Sequence, residues 1–392
     1  MHLSQKQLFL QYIAQTSPAP LALEIVSAKG IYLNDISDKQ YIDLISGISV
    51  SNIGHCHPEV VDAIKKQAET YMHLMVYGEY VQSPQVLLAK ALTDLLPANL
   101  NSVYFVNSGT EATEGALKLA KRFTDRSEII SFKNGYHGST HGALSVMGNE
   151  DFKTSFRPLL PDVRIIEFNK EEDLQSITTK TACVIIEPIQ GEAGIIAAKQ
   201  SFLQKLRARC NETQALLIFD EIQTGFGRTG TLFAFEQYKV IPDILLLAKG
   251  MGGGMPIGAF IASKEIMNSL SHNPVLGHIT TFGGHPVCCA AALANLNVIV
   301  KDNLPQRAKE IERIIKETIK HPKIKELRIN GALAAINFDN EATNMQAISK
   351  CIEAGIITDW FLFNTKSMRI APPLIITDEE LVRACTIITA SI

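Results

Sequence analysis

No apolar run in the 392-residue sequence reaches the about 18 residues of a membrane-spanning helix, so a transmembrane span is not expected. Neither sign of charge dominates. There are 37 Lys and Arg against 40 Asp and Glu, for a net charge of −3. That balance offers no basic stripe for nucleic acid and no polybasic face for an anionic membrane. Low-complexity tracts and internal repeats are missing as well. The opening residues, Met1-His-Leu-Ser-Gln-Lys-Gln7, lack the charged-then-apolar pattern of a secretory signal. The seven cysteines are odd in number, and the adjacent Cys288 and Cys289 are badly placed to bond each other. A reduced, cytoplasmic protein is therefore expected. His55-Cys56-His57 is a metal-like run, but neighbouring side chains diverge and no second ligand cluster follows, so no metal is expected.

What is present is a rhythm. Short apolar runs such as Ser102–Val106, Glu128–Phe132, Cys183–Glu187, Leu216–Phe219, Ile244–Leu247 and Gly258–Ala262 alternate with helix-like stretches. Continuous apolar strands between helices predict a mostly parallel sheet buried on both faces. At 46% hydrophobic residues the chain is long enough for two cores. The reading is α/β: a large domain over 51–300 and a smaller α+β domain over 301–392. The pieces Leu23–Val26, Ile31–Leu33 and Tyr41–Leu44 could pair with either part. Segment 1–50 is assigned to pack with the smaller one.

Distinctive residues recur where these runs end, and ligands bind beyond the carboxyl ends of strands in open α/β sheets. Lys249 closes the run Asp243-Ile-Leu-Leu-Leu-Ala-Lys249 and opens a glycine-rich turn; Asp220 closes Ala215-Leu-Leu-Ile-Phe-Asp220. Singly, such residues are ordinary surface or capping groups. Together they supply an amine for a Schiff base and a carboxylate for a pyridinium nitrogen, the arrangement that pyridoxal phosphate (PLP) chemistry requires. Ser108-Gly109-Thr110 follows a strand and opens a helix, where free amides bind phosphate or a hydroxyl simply caps the helix. Gly225-Phe-Gly227-Arg-Thr-Gly230 matches a dinucleotide fingerprint, yet no good helix start follows it and Asp220 and Glu221 would repel phosphate. Lys249 precedes its glycines, the reverse of a P-loop.

The segments Asn107-Ser-Gly-Thr-Glu-Ala112, Ile186-Glu-Pro-Ile-Gln-Gly-Glu192, Asp220-Glu-Ile-Gln-Thr-Gly-Phe-Gly-Arg-Thr-Gly230, Ala248-Lys-Gly250 and Thr280-Thr-Phe-Gly-Gly284 resemble those of class III PLP-dependent aminotransferases. This is the group of acetylornithine, ornithine and 4-aminobutyrate aminotransferases. The likeness runs in order from Gly54 to Leu374. It implies PLP fold type I with a large sheet of the seven-stranded type, and a homodimer with shared active sites. By the same resemblance, PLP is bound covalently to Lys249 and Asp220 holds the ring nitrogen. Tyr136 stacks on the ring with His137 beside it, and Gln223 meets the phenolic oxygen. Ser108, Gly109 and Thr110 cradle the phosphate, and Thr281 reaches it from the partner subunit. Arg369 takes the carboxylate of glutamate or 2-oxoglutarate, and Glu192 pairs with Arg369 when an ω-amino donor is bound. Glu187, before a proline, is assigned no role.

Three positions depart from that pattern. Ser139 replaces an arginine that helps to bind the distal carboxylate, Ile48 replaces a substrate-contacting tyrosine, and His285 replaces an asparagine. The first two disfavour ornithine and acetylornithine as donors, unless Lys153 or Arg157 supplies the lost charge. The expected function is amino transfer from another ω-amino acid or amine to 2-oxoglutarate by ping-pong kinetics. The same constellation also suits an aminomutase or a decarboxylating relative.

Overall fold

The computed structural model describes residues 3–76 and 78–392. Three short strands come first, β1 (Ile25–Lys29), β2 (Tyr32–Asp35) and β3 (Gln40–Asp43), paired as an antiparallel meander. The continuous apolar runs then form β4 (Ser102–Val106), β5 (Glu128–Phe132), β6 (Val163–Ile166) and β7 (Thr181–Ile186). A two-stranded ribbon follows, β8 (Ile189–Gln190) with β9 (Ile196–Ala197). Next come β10 (Leu216–Asp220), β11 (Ile244–Leu247) and β12 (Gly258–Ala262).

Among the described residues the largest sheet has seven strands in the order β4-β12-β11-β10-β7-β5-β6. β12 is antiparallel to both neighbours, and the other pairings are parallel. Every residue of β7, β10, β11 and β12 is buried, because helices cover both faces. Each fully buried Leu, Ile or Val contributes about 1.5–3 kcal/mol relative to exposure. One covering helix, Gly109–Thr124, buries Ala112, Ala116, Leu117, Leu119 and Ala120 at helical spacing. Its amino end is capped by the Ser108 side chain, which accepts from the Glu111 N–H.

The C-terminal part adds β13 (Glu326–Asn330), β14 (Leu333–Asn337), β15 (Ile356–Ile357), β16 (Asp359–Phe361) and β17 (Asn364–Ile370). β13, β14, β17 and β16 form one antiparallel sheet, while β15 pairs in parallel with β3. The amino-terminal meander is thereby joined to the C-terminal part by main-chain hydrogen bonds.

The glycine-rich loop 225–230 has a structural task. Its Arg228 is fully buried, donating to the carbonyl of Pro372 and, at 2.5 Å, to Asn52 Oδ1. It ties the carboxyl edge of β10 to the segment just after Arg369. Among the described residues no single helix is long and apolar enough to cross a membrane.

Candidate active site

The carboxyl ends of β4, β5, β7, β10 and β11 converge on a cavity of about 510 Å³. Its walls include Ser108, Gly109, Thr110, Tyr136, Asp220 and Lys249. A neighbouring opening of about 440 Å³ shares Tyr136, Glu192 and Lys249, and adds Ile48, Asp359 and Arg369. Such volumes suit small-molecule ligands.

Lys249 leaves β11 with a φ of +43°, a left-handed conformation that costs a non-glycine residue about 1–3 kcal/mol. The surroundings enforce it. Asn295 Nδ2 donates to the carbonyls of Gly250 (2.8 Å) and Met251 (3.1 Å) just after the lysine. Lys249 is half-buried at the cavity wall, yet crowded enough for burial to lower its amine pKa, against the opposing pull of the Glu192 carboxylate.

Asp220 ends β10 and is buried. Its Oδ2 lies 2.7 Å from His137 Nδ1, and its Oδ1 accepts from the Ile222 N–H at 3.0 Å. Burial alone would lower the pKa of His137; the Asp220 contact outweighs it and raises the value. His137 therefore sits against Asp220, as well as next to Tyr136 in sequence. Glu187 closes the same loop: it accepts from the N–H groups of Tyr136 (2.9 Å) and Gly191 (3.1 Å), and burial pushes it up to about 7.

On the β4 side, the Thr110 hydroxyl pairs with Thr140 Oγ1 at 2.7 Å. Thr140 in turn donates to Glu114 Oε1 at 2.6 Å, so the start of the helix is braced against the loop after Tyr136. The close approach needs a residue without Cβ at Gly138, where φ is +127° and a Cβ would stand 2.3 Å from Thr110 Oγ1. Thr140 was not singled out from the sequence; its exposed, polar setting gives no pattern.

Gln223 reaches the cavity from the turn after β10. Its Nε2 donates to Glu192 Oε1 at 3.3 Å, whereas its Oε1 is buried without a partner. Glu192 lies in the ribbon between β8 and β9 and grips Arg369 with both oxygens, at 3.0 and 2.9 Å. Burial would raise the Glu192 carboxyl, but the Arg369 guanidinium overrides this and holds it at about 2. The Arg369 Nε is taken by Asp359 Oδ1 at 2.9 Å. Burial dominates at Asp359, and its carboxyl stands at about 6. Asp359 carries no signal in the sequence, because β16 has three residues and no apolar alternation. Thr281 is exposed and does not line either opening.

Ile48 belongs to a strained turn, Ser46–Ser49, in which all four residues have positive φ. Asp43 Oδ1 holds it by accepting from the N–H groups of Ile45 (2.8 Å) and Ser46 (2.9 Å). Neither Lys153 nor Arg157 lines the openings; both are engaged by Glu150, at 3.3 and 2.5 Å.

The donor set fits a phosphorylated, nitrogen-containing ring aldehyde. It offers a deprotonatable amine, a buried carboxylate held by an imidazole, an aromatic face, free amides at a helix start and an unmatched buried amide oxygen. Comparison with known proteins agrees in kind. The family model described as aminotransferase class-III matches residues 12–392. Acetylornithine aminotransferase of Methanocaldococcus jannaschii is 42% identical over 376 residues, covering 92% of this chain and 91% of its own. Ornithine aminotransferase of Toxoplasma gondii, crystallised with PLP at partial occupancy in its active site, superposes with a TM-score of 0.90. It is 33% identical and covers 98% of this chain and 92% of its own. A PLP-bound amine transaminase from an uncultivated Pseudomonas species gives 0.89 at 25% identity, with 97% of each chain covered. The chain belongs to the class III aminotransferases.

Proposed function

We propose that this aminotransferase moves an amino group from an ω-amino acid or amine to 2-oxoglutarate, using PLP bound through Lys249. The observation that carries the reading is the convergence of Lys249, Asp220 and the start of the helix Gly109–Thr124 at one sheet edge. When bound, PLP supplies an electron sink for the carbon that carries the reacting nitrogen. The chain's own residues do the rest. Asp220, braced by His137, is the carboxylate that would hold a protonated ring nitrogen. Tyr136 would cover the ring, Gln223 would offer its amide to it, and Ser108, Gly109 and Thr110 would offer donors to the phosphate. Lys249 Nζ, with its lowered pKa, is available as the neutral base that takes a proton from the donor carbon. Arg369 holds the carboxylate of the 2-oxo acid in one half-reaction, and Glu192 neutralises it in the other.

We further propose a homodimer in which Thr281 reaches the neighbour's phosphate. Exposed apolar side chains support it: Met72, Leu74, Met75 and Val81 on one segment, Val275 and Phe282 on the segment that carries Thr281. The chain is divided as 51–300 and 301–392, with 1–50 joined to the latter, a division that the β3–β15 pairing supports. All seven cysteines are free and six are buried, which supports a reducing, cytoplasmic setting.

The test is a panel of amine donors with 2-oxoglutarate as acceptor. Glutamate should form from at least one ω-amine, with parallel lines in double-reciprocal plots. Amine loss without any need for an oxo acid would overturn the reading.

A further inference from the structure

We propose that Asp359 is a positioning residue: it keeps the Arg369 guanidinium aimed into the cavity when Glu192 turns away. The inference rests on the reading of Arg369 as the carboxylate receptor.

Arg369 has two carboxylate partners of different standing. Asp359 and Arg369 lie directly opposite each other on the paired strands β16 and β17. Their contact, Nε to Oδ1 at 2.9 Å, is therefore built within one sheet. The same short strand supplies the Trp360 carbonyl, which accepts from Arg369 NH2 at 3.2 Å. It also supplies the Phe361 ring, 4.5 Å beneath the guanidinium carbon. Glu192 arrives instead from the β8–β9 ribbon beside the large sheet, and takes the two terminal nitrogens.

The two carboxylates thus use different edges of one planar group. If Glu192 leaves, NH1 and NH2 are free for a bidentate substrate carboxylate, while Nε, the carbonyl contact and the ring beneath still fix the plane. Asp359 also shares the positive charge with Glu192, which weakens the grip that an incoming carboxylate must displace. Without Asp359 the guanidinium would lose its fixed edge and Glu192 would hold it alone. Both effects oppose binding of the oxo acid, and neither touches an amine donor that lacks a carboxylate.

The experiment measures each half-reaction separately by single turnover in the PLP-loaded enzyme, with a carboxylate-free amine as donor. Asp359→Ala should weaken apparent binding of 2-oxoglutarate about ten- to a hundredfold, the range of one hydrogen bond to a charged group. Its maximal rate should change little, and the donor half-reaction should change less than about threefold. Asp359→Asn, which still accepts from Nε, should recover a large part of the loss. Matching melting curves for the variants guard against misfolding. Equal losses in both half-reactions, or no loss in acceptor binding, would overturn the inference, as would failure of Asn to do better than Ala. Arg369→Ala run in parallel separates the two claims. If it spares the acceptor half-reaction, the reading of the site and the role of Asp359 fall together. If it cripples that half-reaction and Asp359→Ala does not, the role of Asp359 falls alone.

Discussion

His137 Nδ1 stands 2.7 Å from Asp220 Oδ2, with both side chains buried at the carboxyl edge of the seven-stranded sheet. The pair converts a lone buried carboxylate, expensive to keep ionised, into one whose charge is shared with an imidazole. In the proposed reaction Asp220 is the carboxylate that would face a protonated ring nitrogen, so the contact that positions it matters to the chemistry.

Replacing His137 by Phe keeps a ring of similar breadth and removes the hydrogen bond. Turnover should fall by about ten- to a hundredfold, the worth of a bond to a charged group. Unchanged turnover in His137→Phe would place the histidine in packing alone.

Glu192→Ala should act on the donor side. It leaves Arg369 facing the donor's carbon chain with only Asp359 to offset it. Truncating one partner of a buried charge pair costs about 2–5 kcal/mol, and Asp359 keeps the loss toward the low end, so the amine half-reaction should fall by about thirtyfold. Binding of 2-oxoglutarate should hold or improve. Pre-steady-state rates for the two halves decide it, and a larger loss on the acceptor side would be the wrong sign.

Glu221 offers a test by pH. It is fully buried, accepts from the N–H groups of Ala234 (2.6 Å) and Phe235 (2.7 Å), and is raised by burial from 4.5 to about 7. A raised carboxyl means that the folded chain keeps a proton that the unfolded chain has lost. Stability therefore falls as pH rises from about 4.5 to about 7. Glu221→Gln should be less stable overall by about 1–3 kcal/mol, since one amide face cannot accept. Its stability should also vary less across that pH window. Urea melts at several pH values read both quantities.

Donor preference follows from charge. Ser139 and Ile48 supply no cation, and Glu150 keeps Lys153 and Arg157 occupied away from the openings. A distal carboxylate left without a charged partner loses about 2–5 kcal/mol when buried. An ω-amine without that carboxylate should therefore show the higher kcat/KM than ornithine or acetylornithine. Ser139→Arg should narrow the gap. A native preference for acetylornithine would show that another group receives its carboxylate.

Much of this is legible in the sequence. Strands such as Ile244–Leu247 are apolar at every position and bounded by turn residues, so their place in a doubly covered sheet follows from composition. Lys249 and Asp220 stand out because each closes such a run, and Ser108 because it follows one and opens a helix. Asp359 and Thr140 were hidden. β16 is three residues long, and its register comes from pairing with β17, a long-range contact that leaves no local period. The helix Glu341–Glu353 also escaped, its first turns being mostly polar. The left-handed turn at Ser46–Ser49 runs against the preference of three non-glycine residues, and tertiary contacts through Asp43 override that preference.

The central claim is that Lys249 carries the cofactor. The most direct measurement is borohydride reduction of the purified, PLP-loaded enzyme, followed by peptide mass mapping. The account predicts one phosphopyridoxyl adduct, on Lys249, with Lys249→Ala binding PLP but neither trapping it nor turning over. An adduct on a different lysine, or a Lys249→Ala enzyme that still turns over, would contradict it.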